Sequence, residues 1–349
     1  MKIVHVITSL ESGGAERMLS NLVNLDNENE HVIISVLKSN IHYEINENIN
    51  IIELNLKNNI LGKFKMISKI ISIIKKEKPD IVQTWLKLNY ISPILKYVIK
   101  KPKYLINIRH GVRKKYTRSK SVIESSYLGY VDGTVFVSNA SKNEFENKGL
   151  FLKKPVVINN GFHLKNYMYQ SNSSNGSLKI GYVGRNHPVK NQQMLFRAFN
   201  EFAIDKNVEL HIAGSNMNYE SFSSIISDDV KSKIQWHGEV KDPFNIYKVI
   251  DVLVLTSKTE GYPNVIGEAM SIGVPVISTN AGESWDIIRE SGFRISMNYK
   301  DLIKVLEKAY HNPRILKQKS KEAYCIIQNN YSMRKIVEQY KKYYEEVLK

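Results

Sequence analysis

Apolar runs of strand length alternate with amphipathic stretches of helical period along almost the whole chain. The pattern predicts strands near 2–8, 31–36, 81–85, 104–109 and 133–138, and again near 178–184, 208–214, 234–238, 252–257 and 274–278. Helical patterns fall between them, among them 15–25, 66–77, 190–204 and 263–271. This alternation argues for an α/β protein with parallel sheets covered by helices, built twice. Between the halves lies KNYMYQSNSSNGSLK, residues 165 to 179, polar with Ser, Asn and Gly clustered, which predicts a linker. The stretch 331–349 is predicted helical, with Ile336, Val337, Tyr340, Tyr344 and Val347 at core-facing spacing. Two doubly wound domains bind a ligand in the cleft outside the carboxyl ends of their strands. The loops that follow strands are therefore where chemistry is expected.

A length of 349 residues fits about two domains. The single cysteine, Cys325, excludes an internal disulfide and fits a reducing compartment, with a packed helical thiol as its expected role. MKIVHVITSL reads as a strand entering a glycine loop, not as a signal peptide, and no apolar run of about 18 residues predicts a membrane span. The formal charge is +16, unevenly placed: Met1 to Lys165 carries 26 Lys and Arg against 14 acids, and the remainder 24 against 20. Anionic lipid, nucleic acid or a phosphorylated substrate would answer such an excess.

Three loops carry the candidate chemistry. TEGYPNVIGEAM, residues 259 to 270, follows the apolar run VLVLTS. Gly261 permits a turn, Pro263 suits a helix start, and Glu268 falls about one and a half turns into that helix. Glu260 and Glu268 thus flank the free N–H groups of a first helical turn, an anion site between two carboxylates. A nucleotide sugar has the matching layout, with phosphate in the middle and hydroxyls at both ends. Taken alone, the same spacing describes a capped surface helix with two solvated acids. The loop YVGRNHPVKNQQMLFRAF, residues 182 to 199, ends its strand at Gly184 and places Arg185 and Lys190 before a helix, where they suit a diphosphate and the charge it gains on leaving. In SLESGGAERML, residues 9 to 19, Gly13 and Gly14 let the backbone approach a phosphate. A plain tight turn explains that pair equally well.

Together these stretches resemble family 4 glycosyltransferases of the GT-B fold. The likeness rests on Gly13-Gly14, on VGR with Lys190-Asn191, on EGYPNVIGEAM followed by GVPVIST, and on VINNGF and SNASKNEF. It covers nearly the whole chain and is strongest from Ile180 to Ala281. It is similar above all to bacterial enzymes building lipopolysaccharide, O-antigen or capsule. The resemblance implies two Rossmann-like domains facing across a cleft: an acceptor-binding domain over 1–164, a nucleotide-sugar-binding domain over 165–330, and a helix over 331–349 packing back on the first. It implies retaining transfer of a hexose or N-acetylhexosamine from a nucleoside-diphosphate sugar, a UDP-sugar by expectation, to a lipid-linked or glycan acceptor. Glu268 would hold the ribose. Glu260, with the amides of Gly261, Asn264 and Val265, would hold the sugar. Arg185 and Lys190, beside Gly184, would hold the diphosphate. Gly13 and Gly14 would approach from the other domain. No cofactor or metal is implied, and the sequence has no Asp-x-Asp pair.

His163 stands where the family often has an acid and is given no role. In RHG, His110 stands where the family places a histidine beside the donor sugar, although a lone histidine is as readily structural. His187 is expected to be bland and Trp85 to be core. The helix ILGKFKMISKIISIIKKEK, residues 60 to 78, sets Phe64, Ile67, Ile70, Ile71 and Ile74 on one face among lysines including Lys63, Lys65 and Lys69. With RKKYTRSK at 113–120, it suggests a cytoplasmic enzyme held peripherally on the anionic inner face of a bacterial membrane. The competing use of that stripe is packing on its own sheet. Two other functions fit the composition: a nucleotide-sugar epimerase of the same fold, which releases nucleotide without an acceptor, and a basic nucleic-acid-binding protein. The second lacks groove motifs, and acids are interspersed, so no nucleic-acid partner is expected.

Overall fold

The strands are near-continuous runs of Val, Ile and Leu because both faces of each sheet are covered. The computed structural model describes residues 1–38, 40–56, 60–109, 118–165, 176–240 and 242–349. It divides into two units, residues 1–161 with 333–349, and residues 162–332.

In the first unit, β1 (Lys2–Ile7), β2 (Glu30–Ser35), β3 (Asn50–Glu53), β4 (Ile81–Trp85), β5 (Lys103–Ile108), β6 (Gly133–Phe136) and β7 (Pro155–Val157) form one parallel sheet of order β3-β2-β1-β4-β5-β6-β7. Its helices are α1 (Gly14–Leu25), α2 (Ile60–Glu77), α3 (Ser92–Val98), α4 (Arg118–Leu128), α5 (Asn139–Asn147) and α12 (Met333–Leu348), the last arriving from the far end of the chain. The two-residue period of the strands divides the core. Ile3, Ile7, Ile81 and Leu105 pack with Leu19 and Leu22 of α1 and with Ile336, Tyr340 and Tyr344 of α12. On the other face Val4, Val6, Val82 and Ile106 pack with Ile70 and Ile74 of α2, Leu95 of α3 and Phe145 of α5.

The second unit holds β8 (Leu178–Val183), β9 (Val208–Ala213), β10 (Ile234–Gly238), β11 (Val252–Leu255), β12 (Val276–Ser278) and β13 (Phe293–Arg294) in a parallel sheet of order β10-β9-β8-β11-β12-β13. Its helices are α6 (Gln192–Phe202), α7 (Phe244–Tyr247), α8 (Asn264–Met270), α9 (Ser284–Ile288), α10 (Tyr299–His311) and α11 (Pro313–Ile326). In each sheet the winding reverses at one place, between β1 and β4 in the first and between β8 and β11 in the second. Side chains on the loops leaving those strands meet outside the sheet's carboxyl edge.

Several expectations need correction. Strands β3, β7 and β13 were not predicted: they are edge strands of four, three and two residues, too short to show a period. The units part at Gly161 and Ser332, a few residues from 164 and 330, because Phe162 belongs to the second unit. Its N–H donates to the Tyr331 carbonyl at 2.9 Å, it bridges Ser332, and its ring lies over Gly267. Within the predicted linker, residues 166–175 lie outside the described residues. The apolar stripe of α2 is a packing face: Met66, Ile70 and Ile74 are buried, while Phe64 points to solvent. Cys325 is exposed rather than packed, because Ala323 and Ile326 take the inward face of α11.

Candidate functional site

The loop after β8 is built without slack. The Gly184 N–H donates to the Ala213 carbonyl at 2.9 Å, and that of Gly214 to the Gly238 carbonyl at 2.7 Å. Gly214 has φ +149°, and a Cβ there would stand 2.1 Å from the Gly184 carbonyl oxygen, so only glycine fits. Beyond Gly184 a short turn, Pro188–Lys190, is capped by His187, whose Nδ1 accepts from the Val189 N–H at 3.2 Å. Asn191 then turns left-handed (φ 52°), a conformation asparagine tolerates, and starts α6. Two bonds tie this turn to the end of β11: the Thr256 hydroxyl donates to the Lys190 carbonyl at 3.0 Å, and the Lys258 N–H to the Val189 carbonyl at 2.7 Å.

This stapling brings Lys190 onto Glu260. Lys190 Nζ donates to Glu260 Oε1 at 2.6 Å, with the side chains 19% and 13% exposed. The Ser257 hydroxyl donates to the same oxygen at 2.6 Å. From the loop after β12, Gly282 (φ +59°) comes so close that a Cβ would lie 2.5 Å from the Glu260 carbonyl oxygen. Three strand-end loops thus meet at Glu260, two of them at its carboxylate and the third at its backbone, at the reversal point of the sheet. Arg185, on the same loop as Lys190, is exposed; its carbonyl accepts from Gln192 Nε2 at 2.8 Å. Burial and then the nearby Glu260 charge push the Tyr182 hydroxyl above its ordinary range, keeping it neutral beneath the loop.

Gly261 is exposed, and Asn264 and Val265 open α8 after Pro263, which makes no side-chain cap bond. Glu268 is 4% exposed on that helix, and the Tyr247 hydroxyl donates to its Oε2 at 2.9 Å. A cation, a carboxylate, the opening turn of a helix and a second carboxylate therefore share one unit. Such a set can bind a diphosphate, stabilise it as it departs, and grip hydroxyls on either side.

In the first unit Gly13 and Gly14 open α1 after β1. A Cβ on Gly13 would stand 2.1 Å from Glu16 Oε2. The Glu16 carboxylate lies against the glycine, and burial raises its pKa against the opposite pull of the nearby Glu16 and Ala15 amides. An internal carboxylate thus stands beside the amide edge assigned to a phosphate. His110 lies outside the described residues. Trp85 is core, and its indole N–H donates to His5 Nδ1 at 3.3 Å. Sequence reasoning missed Ser257, Tyr247 and Gly282. Ser257 closes the quoted VLVLTS three residues before Glu260 and was available as a partner. Tyr247 and Gly282 carry no pattern that points to the site.

Two parallel doubly wound units with phosphate-type loops at a sheet's switch point define the class of two-domain nucleotide-dependent α/β enzymes. Residues 177–312 match the sequence profile of the family described as Glycosyl transferases group 1. The chain is 24% identical to the capsular polysaccharide biosynthesis glycosyltransferase CapM of Staphylococcus aureus, covering 100% of this chain and 98% of that protein. It is 26% identical, over 80% of this chain and 79% of the relative, to a Campylobacter jejuni α-1,4-N-acetyl-D-galactosaminyltransferase acting on an undecaprenol-diphosphate-linked glycan. Among solved structures, HepE of Anabaena in complex with UDP matches with a TM-score of 0.83 at 16% identity, over 99% of this chain and 100% of that one. The chain is a glycosyltransferase of the GT-B fold, with a group 1 domain in its second unit.

Proposed function

We propose that the chain is a retaining transferase that moves a hexose or N-acetylhexosamine from a UDP-sugar to a lipid-linked or glycan acceptor, at the cytoplasmic face of a bacterial membrane, in the synthesis of capsule, O-antigen or lipopolysaccharide. The observation that carries the donor half is the Lys190–Glu260 pair at the reversal point of the second sheet. Lys190 and Arg185 hold the diphosphate. As the anomeric C–O bond breaks, its electron pair goes to the diphosphate oxygen, and cations already in place stabilise that charge without reorganisation. Glu260, with Gly261, Asn264 and Val265, holds the sugar, and Glu268 holds the ribose. Gly13, Gly14 and His110 remain proposed donor contacts from the first unit. Fixed side-chain cations supply the positive charge, so no metal is required.

The choice of UDP is supported by the UDP bound to HepE, and the acceptor class by the undecaprenol-diphosphate glycan named for the Campylobacter enzyme. The polymer class is supported by CapM. Thermal-shift titration with UDP, GDP, ADP and their sugars tests the donor: UDP should raise the midpoint by mass action. A response to GDP or ADP alone overturns the UDP assignment.

A further inference from the structure

In the first unit, α3 and α4 leave an apolar groove uncovered. It has a volume of about 670 Å³ and is lined by Ile94 and Tyr97 of α3, by Val122, Ile123 and Tyr127 of α4, and by Tyr130 just beyond. Tyr97 is 75% exposed and Ile123 70%. This is not a loose surface. The Tyr127 hydroxyl donates to the Tyr90 carbonyl at 2.6 Å, and the Tyr90 hydroxyl donates to Glu124, clamping α4 beside the segment that leads into α3. A clustered apolar surface held open in this way marks an interaction site.

Charge indicates the partner. Residues 86–132 hold 11 Lys and Arg against two acids, Glu124 and Asp132, a net of +9 out of the +12 carried from Met1 to Lys165. Both acids are engaged within the unit, Glu124 by Tyr90 and Asp132 by Lys96 at 2.7 Å. Lys100 and Lys101, which follow α3 directly, are exposed. We propose that this groove docks the protein on an anionic lipid bilayer. Its aliphatic and tyrosine side chains enter the headgroup boundary, and the exposed Lys100 and Lys101 that follow α3 meet lipid phosphates. A nucleic acid would answer the cations but not Ile94, Val122 and Ile123. Among the described residues no helix is long and apolar enough to cross a membrane, so the attachment through this groove is peripheral and reversible. The inference deepens the lipid-linked acceptor reading and moves the membrane contact from α2, whose stripe is buried, to α3 and α4.

The test is co-sedimentation of the full chain with phosphatidylglycerol–phosphatidylcholine vesicles and with pure phosphatidylcholine vesicles, at low and high salt. Neither sugar donor nor acceptor is present, so the outcome is independent of the transfer assay. Wild type should pellet with the anionic vesicles at low salt only. The double variant Tyr97→Ser/Ile123→Ser, at solvent-facing positions with no core to lose, should partition at least tenfold less. Lys100→Glu/Lys101→Glu should lose about fivefold or more per position, since each cation near an anionic surface contributes about 1 kcal/mol, or fivefold. Wild type remaining in the supernatant at low salt overturns the proposal. So does undiminished binding of the serine variant. Sedimentation equilibrium showing wild-type dimers that the serine variant loses would likewise overturn it, assigning the groove to a second copy of the chain.

Discussion

Replacing Glu260 by Gln separates donor binding from transfer. The Lys190 ammonium and the Glu260 carboxylate stand 2.6 Å apart and are mostly shielded from water. At an effective dielectric constant of about 20 the Coulomb attraction is about 6 kcal/mol, and partial desolvation of both groups offsets most of it, leaving roughly 1–2 kcal/mol. That attraction competes with any diphosphate for Lys190. Gln keeps an oxygen for the Ser257 hydroxyl, so the loop retains its geometry, but it releases the ammonium. Glu260→Gln should therefore bind UDP as tightly as wild type or up to about tenfold more tightly, 1.4 kcal/mol being a factor of ten. The same change removes the charge-assisted bonds to the sugar, about 1.5–3 kcal/mol, so kcat/KM should fall roughly 10- to 150-fold. Lys190→Met should do the reverse for binding, weakening UDP while also lowering kcat. Isothermal titration with UDP and initial rates on both variants decide it. Weaker UDP binding by Glu260→Gln with kcat unchanged would refute the reasoning, as would a silent Lys190→Met.

Glu268→Gln keeps an acceptor for the buried Tyr247 hydroxyl and should fold with a near-native Tm while losing about tenfold or more in UDP affinity, since a bond to a charged group contributes about 1.5–3 kcal/mol; unchanged affinity by titration would remove Glu268 from the ribose. Stability should also depend on pH through the first unit. Burial, and then the neighbouring His31, hold buried His5 well below its ordinary value of 6.5, against a weaker opposite pull from Asp26. The unfolded chain then binds a proton below about 6.5 that the folded chain refuses, so stability present above 6.5 is lost as pH falls through it, at up to about 1.4 kcal/mol per pH unit. Urea midpoints at pH 7.5 and 5.5 should show the loss, and His5→Gln should flatten it; equal slopes in the two proteins would contradict it.

The strand–helix alternation, the two sheets and the inward face of 336–347 were legible because periods of 2 and 3.6 are local properties of sequence. The residues at the donor loops were legible one by one, Lys190 and Glu260 each from its place after a strand. Their pairing was not, because it depends on β8 lying beside β11, a consequence of winding order across 70 residues. Nor was the Glu16 carboxylate lying against Gly13, since a glycine pair reads the same with or without a side chain beside its amide edge. The α2 stripe could not discriminate between membrane and sheet, because Ile70 and Ile74 have the same spacing in either use. The α3–α4 groove carries no period, so its apolar residues emerged only once the core had been assigned elsewhere.

Acceptor-dependent retaining transfer from a UDP-sugar can be observed on the sugar itself. The direct measurement is a ¹H NMR time course of a UDP-α-hexose or UDP-α-N-acetylhexosamine with a lipid-diphosphate glycan acceptor in the presence of EDTA. Equal amounts of UDP and of a product whose new anomeric proton keeps the small α coupling should form, with no turnover when the acceptor is omitted. A β-linked product, a requirement for added Mn²⁺, or UDP released without acceptor consumed would contradict it, the last in favour of a hydrolysing epimerase.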